Sequence, residues 1–534
     1  MKKVKIYFLL ICLMVGFTAC STPQPSPKNH THPKILRYAL AQEPNTLDPQ
    51  KVDASPEATI AYHIYEGLMR SYGDQLLYGI ANSYEISTDG LVYTFYLRDA
   101  CYSDGTPVRA QDFVYAIQRM LTEEDSSRPF MAYPIKNAAK IHRKELSIDA
   151  LGVQATNDKI LKFVLENPTP YFLQLLTLPT FSPIPAQSDP AMVDITLSNG
   201  PFMLKEWNHN DSIVLEKNPN YWDADNIPLD QVSIIISTNG TKLLDMFFNG
   251  ELDVLPTSTT NVPESFSPYI QYYYNGANDF IRLNMDGSCP LSNKNLRLAL
   301  NYAVDKDEIA NDLLDGNGIA AKGMFNASVV PYVTDENSPG YAYDPNKARE
   351  LLKEAGYEDT NGDGYVDKNG QNLSFKLLLQ NTEYPDFKPV CEFLKEQYKE
   401  VGIQIDLNLM EQNAYYDEIW TGKNYDLVIY RTYADAWNPH GFLMDMYTSK
   451  DGTLPAAWND ETLQSMIDNV LMTTDETERQ KQYDDLFTYI QEQAISVPLY
   501  YQKSTFGYNK KLKNVSPAST TYQVAKFNEM DIEE

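Results

Sequence analysis

The chain has 534 residues and a formal net charge of −28, with 72 acidic against 44 lysine and arginine side chains. That imbalance opposes binding to nucleic acid or to an anionic bilayer surface, and the length is too great for one hydrophobic core. Of the five cysteines, Cys101, Cys289 and Cys391 stand far apart, odd in number and without metal-ligand spacing, so neither a disulfide framework nor a zinc site is implied.

Lys2, Lys3 and Lys5 precede an apolar run from Ile6 to Phe17, which ends in Thr18-Ala19-Cys20. A basic start, an apolar core too short to span a bilayer comfortably and small residues before a cut predict a signal peptide over 1–19. Small residues directly before a cysteine resemble a bacterial lipobox, after which Cys20 becomes the lipidated first residue. Phe17 departs from the Leu or Val usual in that motif, which leaves a plain signal peptide as the alternative. Pro23, Pro25, Pro27 and Pro33, set among Ser, Thr and Asn, predict a disordered tether over 20–34. The expected product is an exported protein held at the outer face of the cell membrane through Cys20. Cys101, Cys289 and Cys391 are expected as free, mostly buried thiols, with one bridge as the alternative.

Beyond the tether, strand-like and helix-like segments alternate. Leu91 to Leu97 alternates as a strand, Ser103-Asp-Gly-Thr-Pro107 is a turn, and Phe113, Ala116, Ile117, Met120 and Leu121 form one helical face. Asp344-Pro345 predicts a helix start and Gly356 its stop. A further helix carries Val390, Phe393, Leu394 and Val401 and ends at Gly402. Ile403, Ile405, Leu407 and Leu409 then alternate as a strand. This order argues for an α/β fold with mixed sheets.

The stretch from Tyr425 to Leu443 opens with an apolar run, Leu427 to Tyr430, that fits a strand buried on both faces. It then turns polar and aromatic through Arg431, Tyr433, Asp435, Trp437, Asn438 and His440. A buried strand that empties into such a mixture is a common way for α/β proteins to present a ligand site, and a solvated loop is the plainer alternative. Asp359, Asn361, Asp363, Gly364 and Asp367 occupy positions 1, 3, 5, 6 and 9 of a calcium loop, but Gly370 replaces the bidentate Glu at position 12. The segment reads as a surface turn, with weak calcium binding as the alternative. No Gly-x-Ser-x-Gly, His-Glu-x-x-His or phosphate-cradling glycine loop occurs, so no catalytic residue is assigned and an enzyme is not expected.

An ordered series of phrases goes further. It includes Asn45-Thr-Leu-Asp-Pro49, Ile64-Tyr-Glu-Gly-Leu68, Glu166-Asn-Pro-Thr-Pro-Tyr171 and Asn199-Gly-Pro-Phe202. It continues with Val214-Leu-Glu-Lys-Asn-Pro-Asn-Tyr-Trp222, Leu296-Arg-Leu-Ala-Leu300 and Val497-Pro-Leu-Tyr500. In order and spacing the series resembles the oligopeptide-binding, extracytoplasmic solute receptors of ABC importers (solute-binding protein family 5), over nearly all of the chain after the tether. The resemblance implies a two-lobed periplasmic-binding-protein-like fold with an extra domain inserted in the first lobe. The first lobe is expected over 35–65, 184–275 and 497–534, the inserted domain over 66–183 and the second lobe over 276–496. It also implies a monomer that takes no cofactor, captures oligopeptides and partners the permease subunits of an importer.

By the same resemblance, Asp435 in Ala434-Asp435 binds the ligand's α-amino group, as a carboxylate suits the three donors of an ammonium. Residues 431–433 and 53–55 match strand ends that pair with a peptide backbone, Asp53 stands at an acidic position near the binding strand, and Tyr133 and Tyr500 match aromatic positions around the pocket. Arg431-Thr-Tyr followed by Asn438-Pro-His440 also looks like the nickel-binding receptors of this superfamily, which bind a chelated metal through a His and hold the chelator's carboxylates with Arg. Where those receptors carry one such Arg, after Leu178-Pro179, this chain has Thr180. A nickel chelate bound through His440 is the runner-up ligand.

Overall fold

The structure is a computed structural model, and it describes residues 32–40, 42–52, 55–72, 75–186, 197–255, 270–285, 289–327, 332–382, 384–419, 424–433, 460–515 and 525–533. Cys20, Asp53, Asp435, Trp437 and His440, together with the signal and tether segments up to residue 31, lie outside the described residues.

Among the described residues, hydrophobic periodicity builds three large sheets, each with a core of its own, beside three two-stranded ones. In the strand Val92–Leu97, Tyr93, Phe95 and Leu97 point inward and their neighbours are half-buried. This strand pairs antiparallel with Ala81–Ile86 and Ile160–Val164, and Val153–Asn157 completes a four-stranded sheet. The helix Ala110–Thr122 buries Phe113, Ala116, Ile117, Met120 and Leu121, the i, i+3, i+4 stripe that covers such a sheet. Their common core runs from Leu68 to Phe181.

A second four-stranded sheet is ordered Ile35–Leu40, Gln231–Ile236, Ser212–Lys217 and Phe202–Asn208; its first pair is parallel and the others antiparallel. Its core draws on residues 36–65, on 202–254 and on the C-terminal residues 512–530. The third sheet is seven-stranded, in the order Val254–Leu255, Ser496–Tyr508, Ile270–Leu283, Leu427–Tyr433, Ser374–Leu379 and Gln404–Leu409, with Gly318–Ala320 also paired to Ser496–Tyr508. Helices cover it around a core from Phe280 to Tyr500. Pro345–Glu354 starts where Asp344 accepts from the amides of Asn346 and Lys347, and the chain leaves through Gly356 at φ +87°. Phe387–Glu400 buries Val390 and Leu394 and is followed by Gly402 at φ +86°, a conformation that glycine adopts without strain.

Polar clasps join the first two cores. Asp48 and Arg119 form a buried ion pair. Glu66 accepts from the Tyr221 hydroxyl at 2.8 Å and from Trp222 Nε1. The Arg98 guanidinium stacks 3.5 Å above the Trp222 ring, a desolvated cation–π contact.

The boundary expected between the two lobes is at Asn275-Gly276. It lies inside the strand Ile270–Leu283, which pairs with Ser496–Tyr508 along most of its length. The register slips between the pairs Tyr274↔Lys503 and Asn278↔Tyr501, so three residues including Asn275 and Gly276 bulge opposite Gln502. Of the thiols, Cys391 is buried whereas Cys101 and Cys289 are half-buried, and none of the three is bridged.

Candidate ligand-binding site

The strand Leu427–Tyr433 owes its place to its first three residues, since Leu427, Val428 and Ile429 expose no surface. On one side it pairs antiparallel with Ile270–Leu283 from Leu283↔Leu427 to Ala277↔Tyr433. On the other it runs parallel to Ser374–Leu379 with pairs at Leu377↔Leu427 and Leu378↔Val428. The strand therefore continues to Tyr433 after its last pair with that neighbour, and the Tyr415 hydroxyl donates to the Ile429 carbonyl just beyond the end of the pairing. The Tyr430 ring meets Phe280 edge-on at 5.9 Å.

Register brings three polar side chains into one row. Asp279 lies directly opposite Arg431 on one neighbouring strand and opposite Tyr500 on the other. Arg431 Nε donates to Asp279 Oδ1 at 2.9 Å and to Oδ2 at 3.1 Å, and its Nη2 donates to Asp386 Oδ2 at 2.6 Å. The Tyr500 hydroxyl donates to the same Asp386 oxygen at 2.6 Å. Tyr384 and Phe387 cap the guanidinium with ring centroids 4.5 and 5.4 Å away. Burial pushes the Asp279 carboxyl up to about 7 although Arg431 opposes the shift, and Asp386 adds to it by repulsion. Burial likewise raises the Tyr500 phenol, which stays neutral and acts as a donor.

Of the residues singled out in the sequence, Arg431 and Tyr500 come together here. The Arg431 side chain is turned into ion pairs with the protein's own carboxylates. Tyr433 ends the strand. Tyr133 is placed separately, on the turn before helix Ala138–His142, with its hydroxyl 2.7 Å from His142 Nδ1. Thr180 is buried, and its hydroxyl points at Met120 Sδ. Sequence reasoning missed Asp279 and Asp386. The available signals were a charged residue directly before the apolar pair Phe280-Ile281 and an Asp after Pro385 at a helix start.

The calcium-like loop uses its acceptors on its own backbone. Asp359 accepts from the amides of Gly362 and Gly364, Asn361 from that of Asp363, Asp363 from that of Tyr365, and Asp367 from that of Thr360. Such Asx-type bonds hold a tight turn by themselves. Among the described residues, no three His, Cys, Asp or Glu side chains stand together to hold a metal ion.

A family model described as bacterial extracellular solute-binding proteins, family 5, middle region, matches residues 75–453. The chain belongs to this family. As a family 5 solute-binding protein it is 29% identical to the oligopeptide-binding protein OppA of Bacillus subtilis, over 96% of this chain and 95% of that one. It is 27% identical to the nickel-binding periplasmic protein of Escherichia coli, over 82% and 83% of the two chains. In structure it matches the murein tripeptide binding protein MppA in its unliganded open form with a TM-score of 0.79 and 24% identity, over 94% of this chain and 98% of that one. The fold is the two-lobed, mixed α/β fold of periplasmic binding proteins. The helices among the described residues are not long and apolar enough to cross a membrane.

Proposed function

We propose that the chain is a lipid-anchored receptor that captures oligopeptides between its lobes and delivers them to the permease of an ABC importer. The lobes have the limits expected from the sequence, and Cys20 carries the lipid. The observation that carries the peptide reading is the strand Leu427–Tyr433, which outruns Ser374–Leu379 on one side and so offers residues 431–433 to an extended chain by strand addition. Asp435, two residues beyond that strand, binds the peptide's amino terminus, with Trp437 and Asp53 close to the ligand.

The nickel-chelate reading through His440 is supported by the nickel-binding relative. Against it, a chelate needs cations for its carboxylates, yet Arg431 is already committed to Asp279 and Asp386, and Thr180 supplies none.

Calorimetry with free peptide, N-acetylated peptide and nickel-histidine decides between the two. Asp435→Ala is expected to weaken free-peptide binding by about 2–5 kcal/mol, or roughly 30- to 5,000-fold, and acetylation to cost a comparable amount. Equal binding of free and acetylated peptide, with a nickel signal lost only in His440→Ala, overturns the peptide reading.

A further inference from the structure

Where the first two cores meet the C-terminal segment there is a cavity of about 300 Å³, near the lower end of small-molecule sites. Its lining residues lie between Tyr62 and Pro228 and between Asn514 and Glu529, so neither the third core nor the strand carrying Arg431 contributes. The charged lining consists of Glu66, Asp223 and Glu529 against Arg70 and Lys526, an excess of one negative charge.

These charges pair loosely. Arg70 reaches Asp223 at 3.3 Å and Glu66 at 3.7 Å, and its buried Nε has no hydrogen-bond partner. In the closed pairs of this protein, by contrast, Arg431 meets Asp279 at 2.9 Å and Asp386 at 2.6 Å. Glu529 is only loosely paired. Its nearest cation, Lys526 Nζ, is 3.7 Å away and spends a donor on the Ser71 carbonyl at 2.8 Å. Only a tenth of the Glu529 side chain is exposed, and burial pushes its carboxyl up from the ordinary range. An ionised carboxylate in that position gains from a further cation. Met69, Leu77, Ile227 and Pro228 supply apolar wall.

We propose that this cavity is a second ligand site, separate from the interlobe cleft, that takes a small aliphatic monoamine with its ammonium on Glu529 and its hydrocarbon body against Leu77 and Ile227. The inference does not depend on the peptide reading, because no residue of that site lines the cavity.

The test is calorimetry of the full chain with pentylamine, and with butyrate and inorganic phosphate as anionic counter-probes. Saturable one-to-one binding of pentylamine is expected, with no heat from either anion. Glu529→Gln should weaken pentylamine roughly tenfold or more, the loss of one charge-assisted contact. Leu77→Trp, which fills the cavity without changing its charge, should abolish binding and decides the matter should Glu529→Gln not fold. Absence of pentylamine binding, binding unchanged in both variants, or preferential binding of an anion overturns the proposal.

Discussion

Asp48 and Arg119 face each other in a two-pronged ion pair, with Nη1 2.8 Å from Oδ1 and Nη2 on the second carboxylate oxygen, and both side chains are almost wholly out of water. Gln50 accepts a further bond from the same guanidinium at 2.7 Å. The pair ties the second core to helix Ala110–Thr122 of the first. Removing one partner of a buried pair strands the other charge, typically costing about 3–5 kcal/mol. Asp48→Ala is therefore expected to lower the denaturation midpoint of the linked cores by that order. Asp48→Ala with Arg119→Met should recover part of the loss. Equal midpoints for the wild type and the single variant would show the pair to be idle.

His63 gives those same cores a dependence on acid. Its Nδ1 donates to the Thr59 carbonyl at 2.6 Å, its Nε2 accepts from the Phe527 amide at 2.9 Å, and its ring stacks on Phe527. Burial lowers its pKa to about 4, against about 6.5 in the unfolded chain. Between those values the unfolded chain binds the extra proton, so stability is complete above pH 6.5 and falls as the pH drops toward 4. His63→Phe keeps the stack and removes the titration, at a cost of about 1–3 kcal/mol for the orphaned amide. Melting curves of both proteins from pH 4 to 7 check this, and an unchanged pH slope in the variant is the adverse result.

Lys306 behaves in the opposite manner to a stabilising charge. Its Nζ is buried without a hydrogen-bond partner, 5.5 Å from the Tyr341 ring, and burial brings its pKa down to about 7. The unfolded chain keeps that proton up to about pH 10.4, so stability should rise with pH through the interval above 7. Lys306→Met should stabilise the third core by a few kcal/mol near pH 6, and the gain should shrink toward pH 10. Guanidinium titrations at the two pH values provide the comparison.

Arg431 separates Asp279 from Asp386, so Arg431→Leu leaves two carboxylates facing each other at a buried strand end. A loss of about 3–5 kcal/mol is expected, together with weaker ligand binding. Asp279→Asn in the same chain should restore a measurable part, because contacting residues couple non-additively. Purely additive effects across that double-mutant cycle would mean that the two side chains act independently.

Closure of the lobes on a ligand is a further expectation. Small-angle scattering should give a smaller radius of gyration with saturating ligand, and superimposable curves would count against it.

Much of this organisation was legible from local sequence. Asp344, Pro345 and Gly356 mark their helix because capping and termination are short-range chemistry. The buried strand starting at Leu427 is announced by an unbroken apolar run. The Asp279–Arg431–Asp386 cluster was not legible, because it depends on the register between strands some 150 residues apart, which no local pattern fixes. Asn275-Gly276 shows the same dependence on distant pairing. As a dipeptide it favours a turn, yet pairing with Ser496–Tyr508 carries the strand straight through and leaves only a bulge. The expected thiol burial was right for Cys391 but overstated for Cys101 and Cys289.

That bulge sits in the paired ribbon formed by Ile270–Leu283 and Ser496–Tyr508, which leads from Val254–Leu255 beside the second core into the centre of the third. Two hydrogen-bonded strands resist shear and separation but twist readily, unlike a pair of slack linkers. Lobe closure is then expected to be taken up as torsion of this strip, concentrated where three residues oppose one. In that role the strip would work as a torsion spring, limiting the travel of the halves and returning them to one alignment.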